Sequence, residues 1–278
     1  MLIVEVNDLK LLKCIDTDGF LIGTDKISSE VFVKFPKEKV LEFVKEVHQN
    51  KKIVILDATN IFHDQDLAET KEILDYLSEV DFVMYNDLAI MNMVPIEKRI
   101  YYSTTYVTNL YDFDIVKEEN AYVVVSPELS FEELKAFNQK DGAFIIGFGT
   151  WEIFHSRRRL LSNYFKYRKT DYFNGRYHII EEFRNEMYPI VEDEGTKIYL
   201  NGYYYLASEL KELSKNILLK TFDLEYENVV KIVHAYNEAI INGDYEKLEK
   251  IIKEFPKDTN KGLLYEESIL TKGVKERG

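Results

Sequence analysis

A chain of 278 residues that is 46% hydrophobic and 14% aromatic can bury a large core, and that aromatic content excludes a disordered chain, which lacks the apolar surface to offset its ordering entropy. One cysteine, Cys14, excludes an internal disulfide and any multi-thiolate metal or iron–sulfur site built by this chain alone. The formal net charge of -13 opposes nucleic-acid binding unless a locally basic face or a basic partner supplies it.

The opening residues, MLIVEVNDLK, have neither a basic start nor a long apolar run. No later segment approaches the ~20 apolar residues of a membrane span, so a cytoplasmic protein without membrane contact is expected. Strand-like runs fall at 2–6 (LIVEV) and 20–24 (FLIGT), and between them Cys14 sits on a helical face, a core position. A helix over 36–50 opens with proline and aligns Val40, Leu41, Val44 and Val47. A buried-strand run follows at 52–58, a helix at 66–80, and strands at 81–87, 99–106, 121–127 and 142–149. The helix expected over 127–142 carries acids in its first turn and a glycine stop.

Several of these strands are apolar without alternation, as parallel strands buried on both faces must be. With an eighth strand near NILLKTF (216–222), the pattern is that of an α/β protein: a single (β/α) TIM-like barrel, decorated or incomplete, spanning 1–278. An open doubly wound sheet is the alternative. A long insertion separates the seventh and eighth strands, with 150–205 at its heart, and 226–256 reads as two helices hinged at Asn242-Gly243.

The insertion holds the most unusual stretch, HSRRRLLSNYFKYRKTDYFNGRYH (155–178), with seven Lys or Arg, one acid (Asp171) and six aromatic rings. It begins at the C-terminal end of the seventh strand, where barrels often bind phosphate. Arg157, Arg158 and Arg159 have the forked donors that clamp phosphate or carboxylate oxygens, and the rings of Tyr164, Phe165, Tyr167, Tyr172 and Phe173 suit stacking on unpaired bases. The competing reading is an amphipathic helix, with Leu160, Leu161, Tyr164 and Phe165 on its apolar face and a solvated basic side.

After the third strand, DATNIFHDQD (57–66) gathers Asp57, Asn60, His63, Asp64 and Asp66. His63 is the candidate for proton transfer; an Asx-rich turn capped by Asp64 or Asp66 has the same composition. Gly147-Phe148-Gly149 lacks the third glycine of a dinucleotide fingerprint and reads as a tight turn, and no nucleophile elbow occurs anywhere.

Two runs, FGTWEIFHSRRRLLSNYF (148–165) and NEMYPIVEDEGTKIYLNGYYYLASELKEL (185–213), resemble the signature region of the collagenase-like peptidases of uncertain catalytic type, peptidase family U32. Gly149, Ser156, Arg158, Leu160, Leu161, Ser162, Asn163, Tyr164, Tyr188 and Pro189 carry the resemblance, which extends to 60–64, 85–91 and 259–268. It implies a (β/α) barrel and, for the bacterial branch most resembled, a part in prephenate-dependent hydroxylation of the tRNA wobble uridine alongside a longer, cysteine-bearing homologue.

Cluster-bearing members have four cysteines near the signature; two of those positions are Glu152 and Arg159 here, and the other two fall within 173–185, which has none. No metal and no cofactor of its own is therefore expected, with prephenate a co-substrate of the complex. Tyr203 stands where the family has an aspartate, and ILLKTF (217–222) replaces a glutamate-bearing motif, which weakens independent catalysis. The site residues expected are then Ser156, Arg157, Arg158, Arg159 and Asn163 for an anionic substrate, Tyr164, Lys166, Tyr167 and Arg168 for RNA, and His63 for chemistry. A metal-independent peptidase and a non-catalytic scaffold are the competing functions.

Overall fold

The structure is a computed structural model that describes residues 1–103, 106–173, 177–181, 186–193, 195–213, 215–255 and 258–266. Its first strands are β1 (Leu2–Glu5), β2 (Gly19–Thr24), a two-residue β3 (Lys34–Phe35) beside β2, β4 (Ile53–Ala58), β5 (Phe82–Tyr85), β6 (Arg99–Tyr102), β7 (Tyr122–Val124) and β8 (Ala143–Gly149). The chain then leaves through β9 (Glu152–Ser156), β10 (Tyr177–Glu181), β11 (Glu186–Glu192), β12 (Thr196–Tyr199) and β13 (Tyr203–Tyr205), and returns as β14 (Ile217–Leu219).

The strands β1, β2, β4, β5, β6, β7, β8 and β14 pair in that order, all parallel, and β14 pairs with both β1 and β8, so the sheet closes. This is the expected TIM-like barrel; the open-sheet alternative is overturned by the β14–β8 pairing. Closure leaves no exposed edge and buries β1, β2, β8 and β14 along their whole length, which explains their unbroken apolar runs.

Helices cover the outside: α1 (Leu11–Cys14), α2 (Lys37–Gln49), α3 (Leu67–Tyr76), α4 (Leu110–Glu118) and α5 (Phe131–Gln139) lie between barrel strands, α6 (Leu160–Arg168) lies in the insertion, and α7 (Tyr226–Asn242) and α8 (Tyr245–Lys253) follow the barrel. In α2 the buried face is Val40, Phe43, Val44 and Val47, with Leu41 only partly buried. Cys14 is exposed, contrary to its expected core position; α1 is a single turn that buries Leu11 and Leu12 instead. A left-handed Gly243 (φ 79°) ends α7 and allows α8 to fold back. Helix α4 has weak periodicity and was not expected; its signal is the cap at Asn109, whose side chain accepts from the Asp112 amide at 2.9 Å.

The insertion forms a separate four-stranded antiparallel sheet in the order β10-β11-β12-β9, which alternation along 152–199 does not announce. It is anchored where β13 pairs antiparallel with β8, Tyr204 opposite Gly149. The β8–β14 register slips at Gly147, whose carbonyl leaves the ladder to accept from the Leu206 amide and the Tyr236 hydroxyl. Among the described residues no helix is long and apolar enough to cross a membrane.

Candidate functional site at the barrel mouth

Four barrel strands deliver ionisable or polar groups to the C-terminal end of the barrel: Glu5 closes β1, Asp57 lies at the end of β4, Tyr102 closes β6, and Lys220 follows β14. All four are buried, as is Glu30 on the loop after β2. Burying such groups is costly unless each finds a partner, and here each does.

Asp57 is the anchor. One carboxylate oxygen accepts from the backbone amides of Ser29, Glu30 and Val31 at 3.1, 3.1 and 3.0 Å, and the other from the amide and hydroxyl of Thr59 at 3.1 and 2.6 Å. This draws the loop after β2 across the barrel and places Glu30 between the Tyr102 hydroxyl, which donates to it at 2.9 Å, and the Lys220 ammonium, which forms a short ion pair with it. Burial opposes the charge on Glu30, but Lys220 outweighs it and holds the carboxyl below its ordinary range. Burial likewise opposes the charge on Lys220, and Glu30 with Glu5 overcomes it and raises the ammonium.

Glu5 has the opposite balance. Burial pushes its carboxyl up to about 7 despite Lys220 and the amides of Phe32 and Thr221 at 3.2 Å, so it can hold a proton near neutrality. Lys220 depends on Gly149: a side chain there would place its Cβ 2.6 Å from the Lys220 Cβ, and the backbone has φ 120°, so only glycine fits.

The insertion roofs this end. Lys197 of β12 donates to the Ser29 carbonyl at 2.6 Å, and burial lowers its ammonium. On β9, Glu152 lies 3.2 Å from His155, and burial raises its carboxyl. Tyr199 stacks on Phe222 with ring centroids 4.2 Å apart.

Two clefts open beside the roof. One, of about 470 Å³, descends to Glu30 and Tyr102 between Tyr101, Tyr106, Asn86, Glu152 and Phe154. The other, of about 250 Å³, is lined by Lys26, Asn60, His63, Asp66, His155 and Arg157. The structure thus brings His63 and Arg157 together, with Arg157 3.6 Å from Asp66. In place of the expected turn capped by Asp64 or Asp66, the Asp66 carboxylate reaches back to accept from the His63 amide at 2.8 Å, and its side chain does not cap α3.

Arg158 and Arg159 are exposed beyond this cleft, and Ser156 orients the run by accepting from the Arg158 amide at 3.2 Å. Along α6, Asn163, Tyr164, Lys166, Tyr167 and Arg168 are all exposed, and no residue of the helix is fully buried. Leu161 and Phe165 are partly covered, Phe165 by Tyr172 and Tyr177, while Leu160 and Tyr164 are exposed, so the amphipathic reading holds for half of the expected face. The amides at the start of α6 are not open to an anion: Glu192 accepts from Leu161 at 2.8 Å and Ser162 at 3.2 Å, and from the Ser162 hydroxyl.

Of the cysteine positions, Glu152 lies in the roof and Arg159 at the start of α6; part of 173–185 lies outside the described residues. Tyr203, at the family's aspartate position, donates to the Phe222 carbonyl at 2.8 Å, a packing role. No group of three or more His, Cys, Asp or Glu among the described residues is placed to hold a metal ion.

Glu5, Glu30, Tyr102, Lys197 and Lys220 were not singled out by the sequence. The available signals were charges embedded in apolar runs, Glu5 in LIVEV and Lys220 in ILLKTF.

A closed barrel with ionisable groups converging on its C-terminal end and a lateral sheet roofing them defines a TIM-like barrel protein with a covered polar mouth. The model of peptidase family U32 matches residues 17–240, and the chain belongs to that family. It is 27% identical to an uncharacterised protease of Methanocaldococcus jannaschii, over 94% of this chain and 70% of that protein. It is 26% identical to tRNA hydroxylation protein P2 of Bacillus subtilis, over 80% of this chain and 78% of that protein. Among solved structures, the U32 peptidase Mk0906 superposes with a TM-score of 0.52 at 14% identity, covering 81% of this chain and 94% of that one, a likeness of fold.

Proposed function

We propose that this protein takes part in prephenate-dependent 5-hydroxylation of the tRNA wobble uridine, as a cluster-less cytoplasmic subunit that binds RNA or an anionic small molecule and works with a longer, cysteine-bearing homologue. The observation that carries the reading is the exposed run Arg157 to Arg159, continued by exposed Tyr164 and Tyr167, at the rim of the barrel mouth. The likeness to a tRNA hydroxylation protein supports it. Arginine forks suit phosphate or the two carboxylates of prephenate, and the rings suit unpaired bases. The test is mass spectrometry of wobble nucleosides from a deletion strain: loss of the 5-hydroxylated uridine is expected, and an unchanged nucleoside profile overturns the reading.

The polar cleft that joins His63 to His155 favours a second reading, peptide hydrolysis, in keeping with the name of the Methanocaldococcus relative. It predicts turnover of gelatin by the purified chain and loss of turnover on His63→Ala or Ser156→Ala.

A further inference from the structure

The cleft of about 470 Å³ over Glu30 and Tyr102 has the size of a small-molecule site, and its chemistry selects against charge. Among the described residues its lining contains Glu30, Asp87, Glu152 and His155 but neither lysine nor arginine, so an anion meets carboxylates without a cation of its own. A cation fares no better, because every one of those carboxylates is engaged. Glu30 is held by Lys220 and Tyr102, Asp87 accepts from the amides of Phe62 and Ala89 at 3.0 Å, and Glu152 faces His155.

What remains is a neutral ligand, and the walls are those of a ring site. Tyr106 is 72% exposed and Phe154 43%, with Tyr101, Ile61 and Ile153 beside them. The Asn86 side-chain carbonyl is shielded from solvent and has no hydrogen-bond partner among the described residues, the state of an acceptor that a ligand N–H would satisfy. Rotated into the cleft that Asn86 lines, its carboxamide would match the edge of uracil: its oxygen accepts from N3–H and its nitrogen donates to the neighbouring carbonyl. Arg157, Arg158 and Arg159 do not line this cleft; Arg157 lines the neighbouring one beside His63 and His155.

We propose that this cleft receives one unstacked pyrimidine base, read by Asn86 and stacked against Tyr106 or Phe154, while the flanking phosphates meet Arg157 to Arg159 on the rim. The assignment rests on the RNA reading above and divides its labour between two places: a neutral pocket for the base and a basic rim for the backbone.

The test measures binding of the full-length chain, at low salt, to a stem–loop RNA with one loop uridine and to the same RNA abasic at that uridine. Tyr106→Ala and Phe154→Ala alter exposed rings, and unchanged circular-dichroism melting will show that both fold. Each is expected to weaken binding of the intact RNA about 10-fold, to leave the abasic RNA unaffected, and to keep the salt dependence of the wild type. Arg158→Glu is expected to weaken both RNAs alike and to reduce the salt dependence. Normal binding by both ring variants alongside loss in Arg158→Glu overturns the pocket and leaves the RNA reading standing. No binding of either RNA by the wild type overturns both.

Discussion

The barrel mouth and the insertion above it treat charge in opposite ways. In the mouth, Glu5, Glu30, Asp57 and Lys220 are buried and bonded to one another or to backbone amides. In the insertion, Arg158, Arg159, Lys166 and Arg168 stand exposed around a helix that buries no residue fully. Groups already bonded internally have little left for a ligand, whereas these exposed cations beside exposed rings form no ion pair among the described residues. The mouth therefore organises the barrel, and the insertion, with the cleft between them, carries the proposed contact with RNA.

The largest effect expected from breaking this contrast is at Lys220. Lys220→Met leaves Glu30 ionised and buried without its cation, and stability to urea should fall by ~3–5 kcal/mol. Pairing it with Glu30→Gln should recover much of that loss, because the uncompensated charge is gone. A full loss persisting in the double variant would show that packing rather than charge is at stake.

Next in size is a pH effect. The carboxyl of Glu5 titrates at 4.5 unfolded and at about 7 folded, so between those values the folded protein binds the extra proton. Its contribution is present in full below pH 4.5 and declines as pH rises to about 7, a loss of about 3 kcal/mol. Denaturation across this window should show a declining component in the wild type that Glu5→Gln removes.

The smaller structural effect lies in the insertion. Glu192→Gln weakens the charged cap on the amides of Leu161 and Ser162, and should cost about 1 kcal/mol. Faster hydrogen exchange confined to α6, with the barrel unchanged, is the expected signature.

The same contrast explains what the sequence could reveal. Strands such as AFIIGFG and KIVILDA are legible because burial on both faces leaves a continuous apolar record, and closure of the barrel then follows from their number. The basic stretch was legible because it departs from an acidic chain. The ionic cluster was not, since Glu30 and Lys220 lie 190 positions apart and meet only when the barrel closes. The roofing sheet was hidden for another reason: its strands are half exposed on both faces, as in Tyr177–Glu181, so no alternation of period two survives.

The smallest effect on stability and the most direct on function is expected at Arg158. Its side chain is exposed, and the atoms that tie it to the fold belong to the backbone: the amide donates to Ser156 and the carbonyl accepts from the Thr196 hydroxyl at 2.8 Å. Arg158→Glu keeps both bonds, so stability should change by no more than about 0.5 kcal/mol. The reversal does alter the rim, where an anion would now meet a carboxylate within a run of three arginines. Wobble-uridine hydroxylation in cells carrying this variant should therefore be lost while the protein accumulates normally. Arg158→Lys, which keeps the charge but not the fork, should retain part of it if charge alone attracts the ligand, and little if two parallel N–H bonds are required. Full modification in Arg158→Glu cells would remove the rim from the function and leave the insertion as a packing element over the mouth.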